Sequence, residues 1–135
     1  MNDSIFWMGV VALFTIGCGS ESPKPVDIFP EDMCAHCRMA VSDPKFASEI
    51  ITTNEVFKFD DLACLEAFKQ RRNDLRIEAS YVKDYESAQW LKIENAIRVT
   101  TGVFTPMGSG IVAFADSSKA TSFLMSHPPR PSNED

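Results

Sequence analysis

Phe59-Asp60-Asp61-Leu62-Ala63-Cys64-Leu65-Glu66-Ala67-Phe68 is echoed fifty-five positions later by Phe114-Ala115-Asp116-Ser117-Ser118-Lys119-Ala120-Thr121-Ser122-Phe123. Phe59 falls on Phe114, Asp61 on Asp116 and Phe68 on Phe123, while Leu65 falls on Ala120, apolar in both copies. An Asp followed by apolar residues at helical spacing reads as an N-cap and the buried stripe of the helix it starts. The flanking segments agree. Phe46–Thr53 and Glu55–Phe59 are β-rich, with Thr53-Asn54 as a turn, and Ala79–Val82 is a further strand. Ala96–Phe104 and Gly110–Phe114 are the corresponding strands before the second Asp. The expectation is an α+β fold of two small, similar ββαβ units packed together, over residues 31–85 and 86–126.

The ends of the chain read differently. Ile5–Ile16 is an unbroken, mostly apolar run, too short to span a bilayer and suited to the core of a signal peptide. It leads into Phe14-Thr15-Ile16-Gly17-Cys18-Gly19-Ser20, which resembles the lipobox of bacterial lipoproteins, with Thr15 where Leu is usual. Residues 1–17 are therefore expected to be removed and Cys18 to become the acylated first residue. Residues 18–30, with Pro23, Pro25 and Pro30, read as a tether from lipid to domain, and residues 127–135 as a disordered tail. The expected location is the cell envelope, as a membrane-anchored lipoprotein facing the periplasm. Gly19 stands where an Asp would direct inner-membrane retention, which points to the outer membrane.

Charge narrows the function classes. Of 19 acidic residues only Asp3 lies within residues 1–17, so 18 remain against 13 basic ones, a net charge of −5. Nothing in that balance would neutralise a phosphate backbone, so nucleic acid is not an expected partner. No Ser/His/Asp arrangement, phosphate-cradling glycine loop or metalloprotease motif is found. The acidic pairs Glu31-Asp32 and Asp60-Asp61 read as a solvated loop and a helix cap.

Chemistry concentrates in Met33-Cys34-Ala35-His36-Cys37-Arg38-Met39: two thiols, an imidazole and two thioethers in seven positions. Soft donors at that density suit a soft ion such as Cu(I). Cys34-x-x-Cys37 alone also fits a redox pair, half a zinc site or a disulfide. A thioredoxin-type pair would follow a strand, and here Pro30-Glu31-Asp32 precede it. A second Cys-x-x-Cys, which a structural zinc site would want, is absent from the sequence. Met39 follows Cys37 by two positions, so in an extended segment both sulfurs would face one side. Met107 lies between Pro106 and Gly108, a turn where no apolar periodicity asks for a large side chain. Cys34 and His36 are possible additional metal ligands, and Cys64 reads as a buried helix residue.

The run Asp32–Ala47 resembles the opening signature of the NosL family, copper-binding lipoproteins that assist maturation of nitrous oxide reductase. Phe59-Asp60-Asp61 with Cys64-Leu65, Trp90 before Ala96, Thr105-Pro106-Met107-Gly108-Ser109-Gly110 and Ala113-Phe114-Ala115-Asp116 are similar to its later blocks, in order. The likeness spans roughly residues 30–126. It implies Cu(I) ligation by Cys37, Met39 and Met107, and a fold of paired ββαβ units. Arg38 stands where the family usually has Gly. The function implied is a non-enzymatic metallochaperone handing Cu(I) to apo nitrous oxide reductase or its assembly factors. The alternatives are a membrane-tethered thiol–disulfide oxidoreductase using Cys34 and Cys37, and a NosL-like copper binder serving another metalloenzyme.

Overall fold

In a computed structural model of the chain, residue 19 and residues 21–131 are described; Cys18 and the proposed signal segment lie outside them. The strands are β1 (Ser48–Thr52), β2 (Val56–Phe59), β3 (Ile77–Lys83), β4 (Trp90–Lys92), β5 (Ile97–Thr100) and β6 (Ile111–Phe114). The helices are α1 (Leu62–Arg71) and α2 (Ser117–Ser126). An antiparallel sheet runs β2-β1-β3-β4, and β5 and β6 form a second, two-stranded antiparallel sheet. The fold is α+β.

The repeat is visible residue for residue where strand meets helix. Asp61 caps α1 by accepting from the Ala63 amide, and Asp116 caps α2 by accepting from the Lys119 amide. An acceptor there satisfies an otherwise unpaired first-turn N–H and complements the helix dipole. Phe59 and Phe114 are both fully buried, as are Leu65 and, nearly so, Ala120. Ile50, Phe59, Leu62, Leu65, Phe68 and Val82 make the core between α1 and the large sheet. Val112, Phe114 and Ala120 make a smaller one, with Phe46, Tyr85 and Phe123 against it. Truncating Phe59 or Phe114 to Ala would cost about 3–5 kcal/mol, mostly apolar transfer and the cavity left behind.

The units depart from the expected symmetry in three places. First, α2 is followed by no strand among the described residues, so the second unit is ββα and not ββαβ. Pro128, Pro129 and Pro131 come next, and proline cannot donate to a strand ladder. Second, β4 lies beyond the expected unit boundary at residue 85 yet pairs with β3 and belongs to the first sheet. The join lies at Asp84, whose backbone bridges Ala113 in parallel and whose buried carboxylate accepts from the amides of Ser87 and Ala115. Third, four residues separate the paired Ile51 and Val56, whereas ten separate Thr100 and Ile111. The longer second hairpin loop carries Met107.

The Pro-rich stretch, expected to be a free tether, crosses the face of the large sheet opposite α1. Lys58, Glu49, Tyr81 and Lys92 are cross-strand neighbours in one row over β2, β1, β3 and β4. Lys58 Nζ donates to the Asp27 carbonyl (2.9 Å), and Glu49 Oε1 accepts from the Val26 amide (3.0 Å). Tyr81 OH donates to the Pro23 carbonyl (2.7 Å), and Lys92 Nζ to Ser22 Oγ (2.9 Å). Prolines lower the entropy lost when such a segment is pinned.

Candidate metal centre

Two loops and one helix start build the site. The first loop closes through an antiparallel bridge between Met33 and Ala40, with the Cys34 amide donating to the Met39 carbonyl (2.8 Å) and the Arg38 amide to the Cys34 carbonyl (3.0 Å). The Ala35 amide donates to the Lys58 carbonyl (2.8 Å), hanging the loop on the outer edge of β2. Arg38 has φ of +67°, the left-handed region that a side chain enters at a cost of about 1 kcal/mol. That conformation gives a physical reason for glycine at this position. The segment is therefore a turn and not extended, which corrects the expectation that Cys37 and Met39 share a strand face.

Cys37 is half-buried, and its thiol lies 3.5 Å from both carboxylate oxygens of Asp60. Cys34 is fully buried and Cys64, in the first turn of α1, nearly so. One donor atom from each of Cys34, Cys37, Asp60 and Cys64 falls within 4.8 Å of the others. All three cysteines are free thiols. Burial pushes the Cys37 thiol up, opposed by the Met39 amide and reinforced by Cys34 and Asp60. Burial also raises Cys64, and more strongly, with Cys34 and Asp60 adding to it. Protonated thiols crowded against a carboxylate are poor nucleophiles, the opposite of the electropositive setting that activates a redox cysteine. A soft cation would reverse this, since it displaces the proton and offsets the gathered negative charge.

The second loop is fixed to the same helix start. Asp61, fully buried, accepts from the Met107 amide (2.9 Å) and from the Ser109 hydroxyl (2.7 Å) besides capping α1. Met107 is thereby tied to the residue next to Asp60, the carboxylate facing Cys37. Gly108 and Gly110 turn the loop at φ of +72° and +68°. A Cβ on Gly110 would sit 2.3 Å from the Thr101 carbonyl oxygen. Met39 and Met107 are 55 % and 45 % exposed, so neither is placed to fill the core.

His36 is set apart from this cluster. Its Nδ1 lies 2.7 Å from an Arg71 guanidinium nitrogen on the surface. Guanidinium only donates, so Nδ1 acts as the acceptor there. Cys64 is the buried helix residue the sequence suggested, and Asp60 precedes the capping Asp61; what the sequence reading did not foresee is that both lie against Cys34 and Cys37. The four-residue spacing of Asp60 and Cys64 across a helix start, which puts two side chains on one face, was the available signal.

The family model NosL matches residues 25–129. Among solved structures, the crystal structure of the copper chaperone NosL from Shewanella denitrificans superposes with a TM-score of 0.68 at 17 % identity, covering 79 % of this chain and 90 % of that one. Among curated proteins none matches the sequence.

Proposed function

The chain belongs to the NosL family, and on that premise we propose that it is a Cu(I)-carrying lipoprotein metallochaperone that supplies nitrous oxide reductase maturation. Copper is its cargo, held by the thiolate of Cys37 and the thioethers of Met39 and Met107. The Shewanella denitrificans protein of the same fold is described as a copper chaperone, which supports this reading. The observation that carries it is Asp61. A single buried carboxylate joins the helix start that presents Asp60 and Cys64 to the loop that carries Met107, tying the second half of the chain to the residue next to the cluster of Cys34, Cys37, Asp60 and Cys64.

The chemistry follows from the donor set. Thioethers bind Cu(I) without losing a proton, and one thiolate makes the complex neutral, which avoids burying net charge. Half-exposed methionines leave the ion approachable from solvent. An acceptor can then add its ligand before the chaperone releases its own, so copper is not set free. Apo nitrous oxide reductase or its assembly factors are the proposed recipients, and acylated Cys18 is proposed to hold the protein at the periplasmic face of a membrane. No helix among the described residues is long and apolar enough to cross a bilayer.

Competition with a Cu(I)-specific chromophoric chelator under anaerobic, reducing conditions tests the reading. Met107→Ala should weaken Cu(I) binding strongly with the fold intact, and Cys37→Ala should weaken it more. If Met107→Ala binds like the parent while Cys34→Ala abolishes a measurable thiol–disulfide exchange activity, the protein is an oxidoreductase instead.

A further inference from the structure

The row of four contacts under residues 22–27 has a consequence for how the anchored protein stands. Ser22 is held by Lys92 on β4, Pro23 by Tyr81 on β3, Val26 by Glu49 on β1 and Asp27 by Lys58 on β2. The segment thus begins at one edge of the sheet and ends at the other. The donor loop follows directly, bonded to the outer edge of β2. Three strand spacings, about 14 Å, separate the two edges. Cys18 lies four residues before Ser22, and four residues reach at most about 14 Å.

We propose that the β4 edge of the sheet faces the bilayer surface and that the strap of residues 22–27 holds the copper loop on the far side. This inference rests on acylation at Cys18. A lipid there cannot leave the neighbourhood of Lys92 while Ser22 is held, so the β4 edge is brought to the headgroups. The residues at that edge suit the location. Trp90 lies on the same face of β4 as Lys92, with Lys83 Nζ 4.0 Å from its ring centroid and Tyr81 edge-on at 6.4 Å. Indole and phenol rings favour the headgroup level, and lysines favour anionic lipid. Lys24, Lys83 and Lys92 lie on this side of the sheet; the acidic groups facing them or Tyr81 are Glu21, which pairs with Lys24, Glu94, Glu49, which accepts from the Val26 amide, and Asp27. The donors Cys37, Met39 and Met107 are turned toward the aqueous side, where an acceptor protein can reach them.

The processed protein carries its own reporter, because Trp7 leaves with residues 1–17 and Trp90 is then the sole tryptophan. The lipidated protein, purified from membranes, is placed in phosphatidylglycerol-containing vesicles whose phosphatidylcholine is either normal or brominated close to the headgroup. Flotation reports anchoring and Trp90 emission reports proximity. The expected result is flotation in both and loss of Trp90 emission in the brominated vesicles alone. A flexible Gly/Ser insert of about ten residues between Ser20 and Glu21, adding roughly 17 Å of mean reach, should leave flotation unchanged and shrink that loss. Protein that floats with Trp90 unquenched, or quenching indifferent to the insert, overturns the orientation alone. Protein that fails to float overturns the anchoring reading and this inference with it.

Discussion

Replacing Asp61 by Ala removes three hydrogen bonds from a fully buried carboxylate: to the Ala63 amide at 2.8 Å, the Met107 amide at 2.9 Å and the Ser109 hydroxyl at 2.7 Å. The cap is worth about 1 kcal/mol. Each of the other two is a bond to a charged acceptor, and its loss leaves a part-buried donor unpaired, at about 1–2 kcal/mol apiece. The expected loss is about 3–5 kcal/mol, a large share of a small domain's typical 5–15. Asp116→Ala is the internal control, since it occupies the same place in the repeat yet accepts from Lys119 alone, at an exposed site. It should cost about 1 kcal/mol. Urea denaturation of both variants measures the difference, and Cu(I) competition on the folded fraction measures the second consequence. With its amide released, Met107 is no longer tied to the start of α1, so copper affinity should fall in Asp61→Ala and stay unchanged in Asp116→Ala. Equal destabilisation in the two variants, or parental copper affinity in Asp61→Ala, would refute the idea that Asp61 joins the two halves of the site.

Three further outcomes are expected. Gly110→Ala should destabilise by several kcal/mol, because φ is +68° and the new Cβ would meet the Thr101 carbonyl at 2.3 Å; a thermal melt unchanged from the parent would contradict the loop geometry. Burial pushes the Glu49 carboxyl from 4.5 up to about 7, so the folded state holds that proton more tightly than the unfolded chain. Its contribution is fully present below about pH 4.5 and is lost as pH rises toward 7, at most about 3 kcal/mol, so Glu49→Gln should flatten that part of the stability profile; identical profiles for parent and variant would count against it. Cys18→Ser should impair processing and release or misplace the protein, and mass spectrometry showing a cleaved, unmodified Cys18 in a soluble parent would remove the anchor.

Local chemistry explains which features were readable from sequence. The strand-to-helix junctions at Phe59-Asp60-Asp61 and Phe114-Ala115-Asp116 were legible because capping and apolar spacing act within a few residues. The Met107 turn stood out because its Pro and Gly neighbours give a large side chain no packing reason. Residues 22–27 misled because three prolines between 23 and 30 read as linker, whereas their partners Lys58, Glu49, Tyr81 and Lys92 are 23 to 70 residues distant and align only once the sheet is registered. Cys64, read correctly as a buried helix residue, and Asp60 gave no sign of their place in the cluster for a related reason. A buried helical cysteine and a capping acid each have an ordinary explanation, and only the folded loop of residues 33–40 brings Cys34 and Cys37 against them.

Two sets of sulfur compete for the role: the proposed one, the thiolate of Cys37 with Met39 and Met107, and the three thiols of Cys34, Cys37 and Cys64 that the structure gathers beside Asp60. X-ray absorption at the copper edge, on Cu(I)-loaded parent and Met107→Ala, separates them most directly. The expected result is a sulfur-dominated first shell that loses one sulfur in Met107→Ala. A shell made mainly of nitrogen and oxygen, or a sulfur shell unaltered by the loss of Met107, would contradict it.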